Sequence, residues 1–317
     1  MALPKSFEGR LRVPAVAAPM FLVSGPALIG EACRNGVAAA FPALNQRSTA
    51  GFREWMDEVR GGLTERDAPW GVNLIVHHSN PRLEADLAAC VDYKVPFIVT
   101  SLGAVPDLVK AVHGYGGVVF HDVTNLRHAR KAAEAGVDGL IAVCAGAGGH
   151  AGTMSPFALV SEIRSFFDGT LLLAGAIGHG RQVAAALMMG ADLAWIGTRF
   201  IATRESAAPE AYKAMLREAA AADIVYTDAV SGVPANFLRA SLEANDFDVA
   251  ELMARGMGGG KLKDLGDEAK AWKTIWSAGQ GVGTITDDPA TADLCARLAA
   301  EFEAACAGGV PWPPRGA

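Results

Sequence analysis

The sequence predicts an α/β protein, a (β/α)8 TIM barrel with an added helical second domain near the C-terminus. Three observations lead there. Eight short apolar runs alternate with longer amphipathic stretches, the pattern of repeated βα units. Two of those stretches stop at a glycine that leads straight into the next apolar run, and the alternation ceases after Arg199. A chain of 317 residues has room for one such barrel, which takes about 250, and a smaller unit beside it.

The first run, Ala15–Ala18, lies in an uncharged stretch from Val13 to Gly30 that follows Lys5, Arg10 and Arg12 and so imitates a targeting signal. Pro14, Pro19 and Pro26 would break a continuous apolar helix there, so a buried strand, a turn and a helix start form the better reading. The later strands are Ala38–Phe41, Trp70–Val76, Phe97–Ser101, Val118–His121, Gly139–Val143, Leu171–Ala174 and Leu193–Ile196. Phe97-Ile98-Val99 and Leu171-Leu172-Leu173 are apolar at consecutive positions, as parallel strands covered on both faces require. Helical patterns at Leu126–Ala135 and Arg181–Met189 end at Gly136 and Gly190. Eight such units close a barrel, with a doubly wound open sheet of similar strand count as the alternative. Residues 205–283 read as a mostly helical insertion without strands, helical at Ala207–Ala222 and Ala235–Glu243 before loosening into Gly256-Met257-Gly258-Gly259-Gly260. Asp287-Asp288-Pro289 then caps a last helix, with Leu294, Leu298 and Phe302 spaced by four, that returns to the barrel. The barrel domain thus comprises residues 1–204 and 284–317.

Composition narrows the function. Hydrophobic residues make up 51% and charged residues 20%, which excludes global disorder. A net charge of −6 without a basic run longer than two disfavours nucleic acid and anionic membrane as partners. Five dispersed cysteines without a CxxC pair point to reduced thiols in a cytoplasmic protein. Glycine is in excess, 36 residues where an average chain of this length has about 22.

Barrel enzymes carry their chemistry on loops after the C-terminal ends of the strands. The loop after the sixth strand has four glycines between Gly146 and Gly152, which lets a ligand approach the main chain. Gly146-Ala147-Gly148-Gly149-His150-Ala151 formally fits a dinucleotide fingerprint, but no acidic residue ends the next strand, and the Lys-Ser/Thr of a Walker loop is missing. Gly175 and Gly197-Thr198 follow the seventh and eighth strands, where such barrels hold phosphate; tight turns alone would also explain these glycines. His150 is the histidine embedded in the glycine loop and is the candidate general base, against the plainer role of tying the loop together. A His121-Asp122 dyad is disfavoured because strand neighbours point to opposite faces. His77 and His78 lack a metal-ligand spacing, and no metal is expected. Cys144 reads as a small buried hydrophobe rather than a nucleophile. Asn73, an amide inside an apolar strand, needs a ligand or main-chain partner.

Taken together, Ala18-Pro19-Met20, Gly71-Val72-Asn73, Ala147-Gly148-Gly149-His150-Ala151-Gly152, Ala174-Gly175-Ala176-Ile177, Gly197-Thr198-Arg199-Phe200 and Trp276-Ser277-Ala278-Gly279-Gln280 make the chain resemble the nitronate monooxygenases, formerly called 2-nitropropane dioxygenases. The resemblance implies an FMN-dependent barrel with an added helical domain. It implies that Ala18, Pro19, Met20 and Asn73 border the flavin, that Gly148 and Gly149 approach it from the sixth strand, and that Gly175, Gly197 and Thr198 hold its phosphate. His150 matches the family's catalytic histidine, and Ser277 and Gln280 would sit near the isoalloxazine or substrate. Two positions depart from the pattern: Val143 stands where many members have glutamine, and Asp122 where some have lysine, which implies altered flavin tuning or anion preference.

The activity implied is oxidation of an alkyl nitronate by FMN and O2 to a carbonyl compound and nitrite, with His150 removing the α-proton when the neutral nitroalkane is the substrate. The alternatives are NAD(P)H-dependent flavin reduction of quinones or enoyl thioesters, and a non-catalytic barrel that binds a phosphate ligand. The expected partners are a small-molecule substrate and O2, and a homo-oligomer is compatible with the sequence.

Overall fold

The computed structural model of the protein describes residues 2–103, 106–256 and 272–309. Eight parallel strands close a barrel: β1 (Ala15–Ala17), β2 (Ala38–Pro42), β3 (Trp70–Ile75), β4 (Phe97–Ser101), β5 (Val118–Val123), β6 (Gly139–Val143), β8 (Thr170–Ala174) and β9 (Leu193–Ile196), with β9 pairing back onto β1. The open-sheet alternative is thereby excluded, and each strand lies within two residues of its predicted limits.

Pairing in parallel register turns alternate side chains inward. Val16, Ala38, Ala40, Phe97, Val99, Ile141, Leu172 and Leu193 fill the barrel interior with Phe120. Phe7, from the segment before β1, closes that core with its ring 5.3 Å from Phe97 and 5.8 Å from Phe120. The outward residues pack beneath the helices: α1 (Pro26–Arg34), α2 (Thr49–Gly61), α3 (Leu83–Tyr93), α4 (Pro106–His113), α5 (Leu126–Glu134), α6 (Pro156–Arg164) and α7 (Gly180–Met188). The predicted stops at Gly136 and Gly190 are left-handed residues, with φ of +84° and +108°.

Beyond β9 come α8 (Thr198–Ile201), α9 (Glu210–Glu218), α10 (Arg239–Glu243), α11 (Val249–Arg255) and the closing helix α12 (Thr291–Gly308), which docks along α7 and α1. Two expectations fail here. The segment read as strandless contains β10 (Ile224–Thr227) and β11 (Ala235–Leu238), an antiparallel pair; both are four-residue strands, too short for their alternation to stand out against alanine-rich surroundings. The stretch Ala235–Glu243, expected to be helical throughout, is therefore half strand. Asp287 and Asp288 do not cap the last helix, whose N-cap is Ala290. They bind arginines instead: Asp287 pairs with buried Arg199 at 2.6 Å and with Arg297 at 2.7 Å, and Asp288 pairs with Arg217. These pairs tie the returning chain to the end of β9. Of the glycine run near residue 258, positions 257–260 lie outside the described residues.

Candidate active site

A cavity of about 1460 Å3 opens at the C-terminal ends of the barrel strands. Its lining gathers Ala18, Pro19, Met20, Asn73, Gly148, Gly149, His150, Gly175, Gly197, Thr198 and Ser277, which are separate in sequence. Gln280 is not among them. It is exposed and lies between Gly279 and Gly281, which do line the cavity, with its Oε1 beside the lining residue Gly146.

His150 owes its position to the segment after the barrel. It forms with Gly149 a two-residue strand, β7 (Gly149–His150), that pairs antiparallel with β11 at Ala235 and Asn236, giving a sheet in the order β10-β11-β7. The buried Asn236 amide donates to the Ala147 carbonyl at 2.6 Å, and Tyr226 donates its hydroxyl to the Ala151 carbonyl at 2.9 Å. The loop that glycine content alone would leave mobile is thus held from outside on both sides of the imidazole. Ser231 Oγ lies 3.5 Å from Nε2, and Trp272 meets the ring edge-on at 5.6 Å. None of Asn236, Ser231 or Trp272 was legible as a site residue, because all three belong to the segment whose strands were not foreseen.

Across the cavity, three adjacent strands present one polar chain. The Asn73 amide of β3 donates to Ser101 Oγ of β4 at 2.8 Å, and Ser101 donates to Asp122 Oδ2 of β5 at 2.5 Å. This answers the question posed by a buried amide in an apolar strand. Burial pushes the Asp122 carboxyl up to about 6, against the opposing influence of its Ser101 hydrogen bond and the His150 charge. The neighbouring His121 belongs to a separate pair: its Nδ1 lies 2.7 Å from Thr100 Oγ1, and burial together with His128 brings it down to about 4. His121 and Asp122 are thus two independent groups. Ser101 was missed, although its place at the C-terminal end of a barrel strand was a usable signal.

The strand ends on the other side are shaped for close approach. Gly175 has φ of +142° and is followed by Ala176 at +55°, a turn with a non-glycine residue in the left-handed region. A Cβ on Gly197 would point into the cavity with nothing nearer than the Ala18 methyl at 3.7 Å and the Met20 sulfur at 3.8 Å. Gly148 is small for a different reason: a Cβ there would lie 2.8 Å from Gly279 N and 3.1 Å from Thr198 Oγ1. Thr198 Oγ1 accepts from Gly279 N at 2.9 Å, locking the 276–281 loop over the strand ends. Tyr212 stacks on Trp276 at 5.0 Å and walls that side.

Cys144 is buried and its thiol is pushed up to about 12 by desolvation, which makes it a hydrophobe at neutral pH. Among the described residues, no group of three or more His, Cys, Asp and Glu side chains is arranged to hold a metal. Nor is any described helix long and apolar enough to cross a membrane.

Residues 52–301 match the sequence profile of the nitronate monooxygenases. The Mycobacterium tuberculosis protein Rv1533, named as a monooxygenase, is 33% identical over 199 residues, covering 60% of this chain and 52% of that protein, so the match spans about half of its length. The (3aS,4S,5R,7aS)-5-hydroxy-7a-methyl-1-oxo-octahydro-1H-indene-4-carboxyl-CoA dehydrogenase of Rhodococcus jostii is 27% identical over 278 residues, or 86% of this chain and 76% of that one. Among solved structures, nitroalkane oxidase from Streptomyces ansochromogenes superposes with a TM-score of 0.81 at 25% identity, covering 96% of this chain and all of that one.

Proposed function

Because the chain belongs to the nitronate monooxygenase family of flavin-dependent oxidoreductases, we propose that it oxidises alkyl nitronates, and the nitroalkanes that give rise to them, with FMN and O2 to a carbonyl compound and nitrite. The observation that supports this reading most is the position of His150, pinned by β11 in a cavity whose other wall is the glycine-bearing ends of β8 and β9. The cavity fits a flat, phosphate-bearing cofactor, since Gly175, Ala176, Gly197 and Thr198 line it at the ends of β8 and β9 and two of the four carry no side chain. In this reading Gly175, Gly197 and Thr198 hold the phosphate, while Ala18, Pro19, Met20, Asn73, Gly148 and Gly149 border the ring system. When bound, FMN supplies the electron chemistry with O2. Residues 1–204 and 284–317 form the barrel domain, and 205–283 the inserted unit that holds the base.

The protein's own part is binding, orientation and one proton. His150 takes the α-proton of a neutral nitroalkane, in a cavity that Asp122 also lines. A nitronate arrives already deprotonated and needs no base. Tyr212, Trp276 and the 276–281 loop cover the strand ends and keep water from the reacting carbon. Purified protein should be yellow, release a flavin identified as FMN, and form nitrite from nitronates under air. Colourless protein that cannot be reconstituted with FMN overturns the reading.

The Rhodococcus relative, a dehydrogenase of a coenzyme A thioester by name, supports a second reading in which the same flavin site exchanges electrons with NAD(P)H and a thioester. Anaerobic mixing separates the two, because rapid bleaching of the flavin by NADH or NADPH belongs to the reductase alone.

A further inference from the structure

Among the described residues, the Arg, Lys, Asp and Glu side chains that line the cavity are Arg82, Asp122, Arg127 and Lys131, three cations to one carboxylate in a chain whose net charge is −6. Arg82 is already engaged, with Nη2 3.0 Å from the buried Asp86 carboxylate and Nη1 2.5 Å from the Gln46 carbonyl. Arg127 and Lys131 are not. They stand four residues apart on one face of α5, both exposed, and among the described residues neither meets a carboxylate. Like charges at this spacing weaken a helix slightly, so the arrangement gains nothing from folding. Their field converges on the cavity. Burial and then Arg127 and Lys131 hold His128 below its ordinary value, and Lys131 also acts on His121, which lies on the cavity wall.

These cations also stand apart from the strand ends that suit the cofactor phosphate. In the closed order β1-β2-β3-β4-β5-β6-β8-β9, the end of β5 that leads into α5 lies three strands from β9 and two from β8, and Arg82 follows β3, four strands from β8. The glycine turns that suit a flavin phosphate follow β8 and β9. A cavity of about 1460 Å3 spans both sides, and a small nitroalkane makes no use of a second anion site.

We propose that the α5 rim, with Arg127 and Lys131 as its charged pair, binds the diphosphate-bearing tail of an adenine nucleotide whose reactive end reaches His150 and the flavin. This rests on placing the cofactor phosphate at β8 and β9. Two sources share that tail chemistry: a coenzyme A thioester as substrate, or NAD(P)H as electron donor. Two cations and a long cavity suit an anionic tail held at the mouth while the reacting group sits at the strand ends.

The test is equilibrium binding to the flavin-loaded protein, by calorimetry, of coenzyme A, NADH, NADPH and inorganic diphosphate. The variants are Arg127→Glu/Lys131→Glu and, as a charge control on α4 away from the cavity, Lys110→Glu. We expect coenzyme A or a nicotinamide nucleotide to bind wild type, more weakly as salt rises, with affinity falling about 30-fold in the double variant and less than about twofold in the control. Which of the two binds identifies the source of the tail. The proposal is overturned if no nucleotide binds, if diphosphate alone binds as tightly as the whole molecules, or if Lys110→Glu costs as much as the double change. Failure of the flavin reading is a separate result, seen as protein that takes up no FMN.

Discussion

His150 is held in the cavity by backbone pairing, and Asp122 by a side-chain hydrogen bond; the proposed reaction gives the proton to His150. His150→Ala should therefore lower turnover of a neutral nitroalkane about a hundredfold or more while the protein stays yellow, and should affect the preformed nitronate far less. A steady-state comparison of the two substrates checks this; equal losses on both would remove His150 as the base. Asp122 makes a prediction of the opposite kind, about stability. Its folded carboxyl is raised from 3.8 to about 6, so folding favours the protonated form, and the stability this contributes is lost as pH rises through about 6. Asp122→Asn should accordingly raise the melting temperature at pH 7.5 and leave it almost unchanged near pH 4, as thermal scans at the two pH values will show. At this scale the sequence was informative where chemistry and chain position coincided. His150 and Asn73 declared themselves as polar residues in a glycine loop and an apolar strand. Asp122 was read as half of a disfavoured dyad with His121 and as the absence of a lysine, because its partner Ser101 comes from another strand and the spacing of one strand says nothing of its neighbour's register.

The elements that matter most to the site are those outside the barrel. β7 is two residues long and cannot persist alone, so its geometry depends on β11 and on the Asn236 bond to the Ala147 carbonyl. Asn236→Ala removes a buried donor and leaves that carbonyl unpaired, at about 1–3 kcal/mol. The melting temperature should fall, and turnover of a neutral nitroalkane should fall by more than turnover of a nitronate, because only the former needs His150 in place. Closure of the barrel by α12 is tested at Gly180, where an added Cβ would lie 2.3 Å from Phe302 N and 2.4 Å from the Leu298 carbonyl. Gly180→Ala should separate α7 from α12 and destabilise the protein by about 1–3 kcal/mol, measured by denaturant unfolding. The barrel strands were legible because each is a continuous apolar run between turn residues. β10 and β11 were not, since four residues in an alanine-rich context carry too little alternation to separate strand from helix.

For the whole molecule, the segment after the barrel meets it at the loop from Gly146 to Gly152, at Val23 and at Thr198, and through α12 along α7 and α1. Bound FMN should stabilise the assembly by mass action, about 2.7 kcal/mol when free cofactor is a hundredfold above its dissociation constant, so removing flavin should lower the melting temperature and adding it back should restore it. A melting point indifferent to FMN would count against the cofactor site. The division of labour has a temporal side as well. All eight barrel strands lie between residues 15 and 196, yet the strand that fixes the base spans residues 235–238. During synthesis the last barrel strand is therefore made some forty residues before the partner of His150 is complete. A chain ended before residue 235 would own the barrel strands without the strand that positions His150.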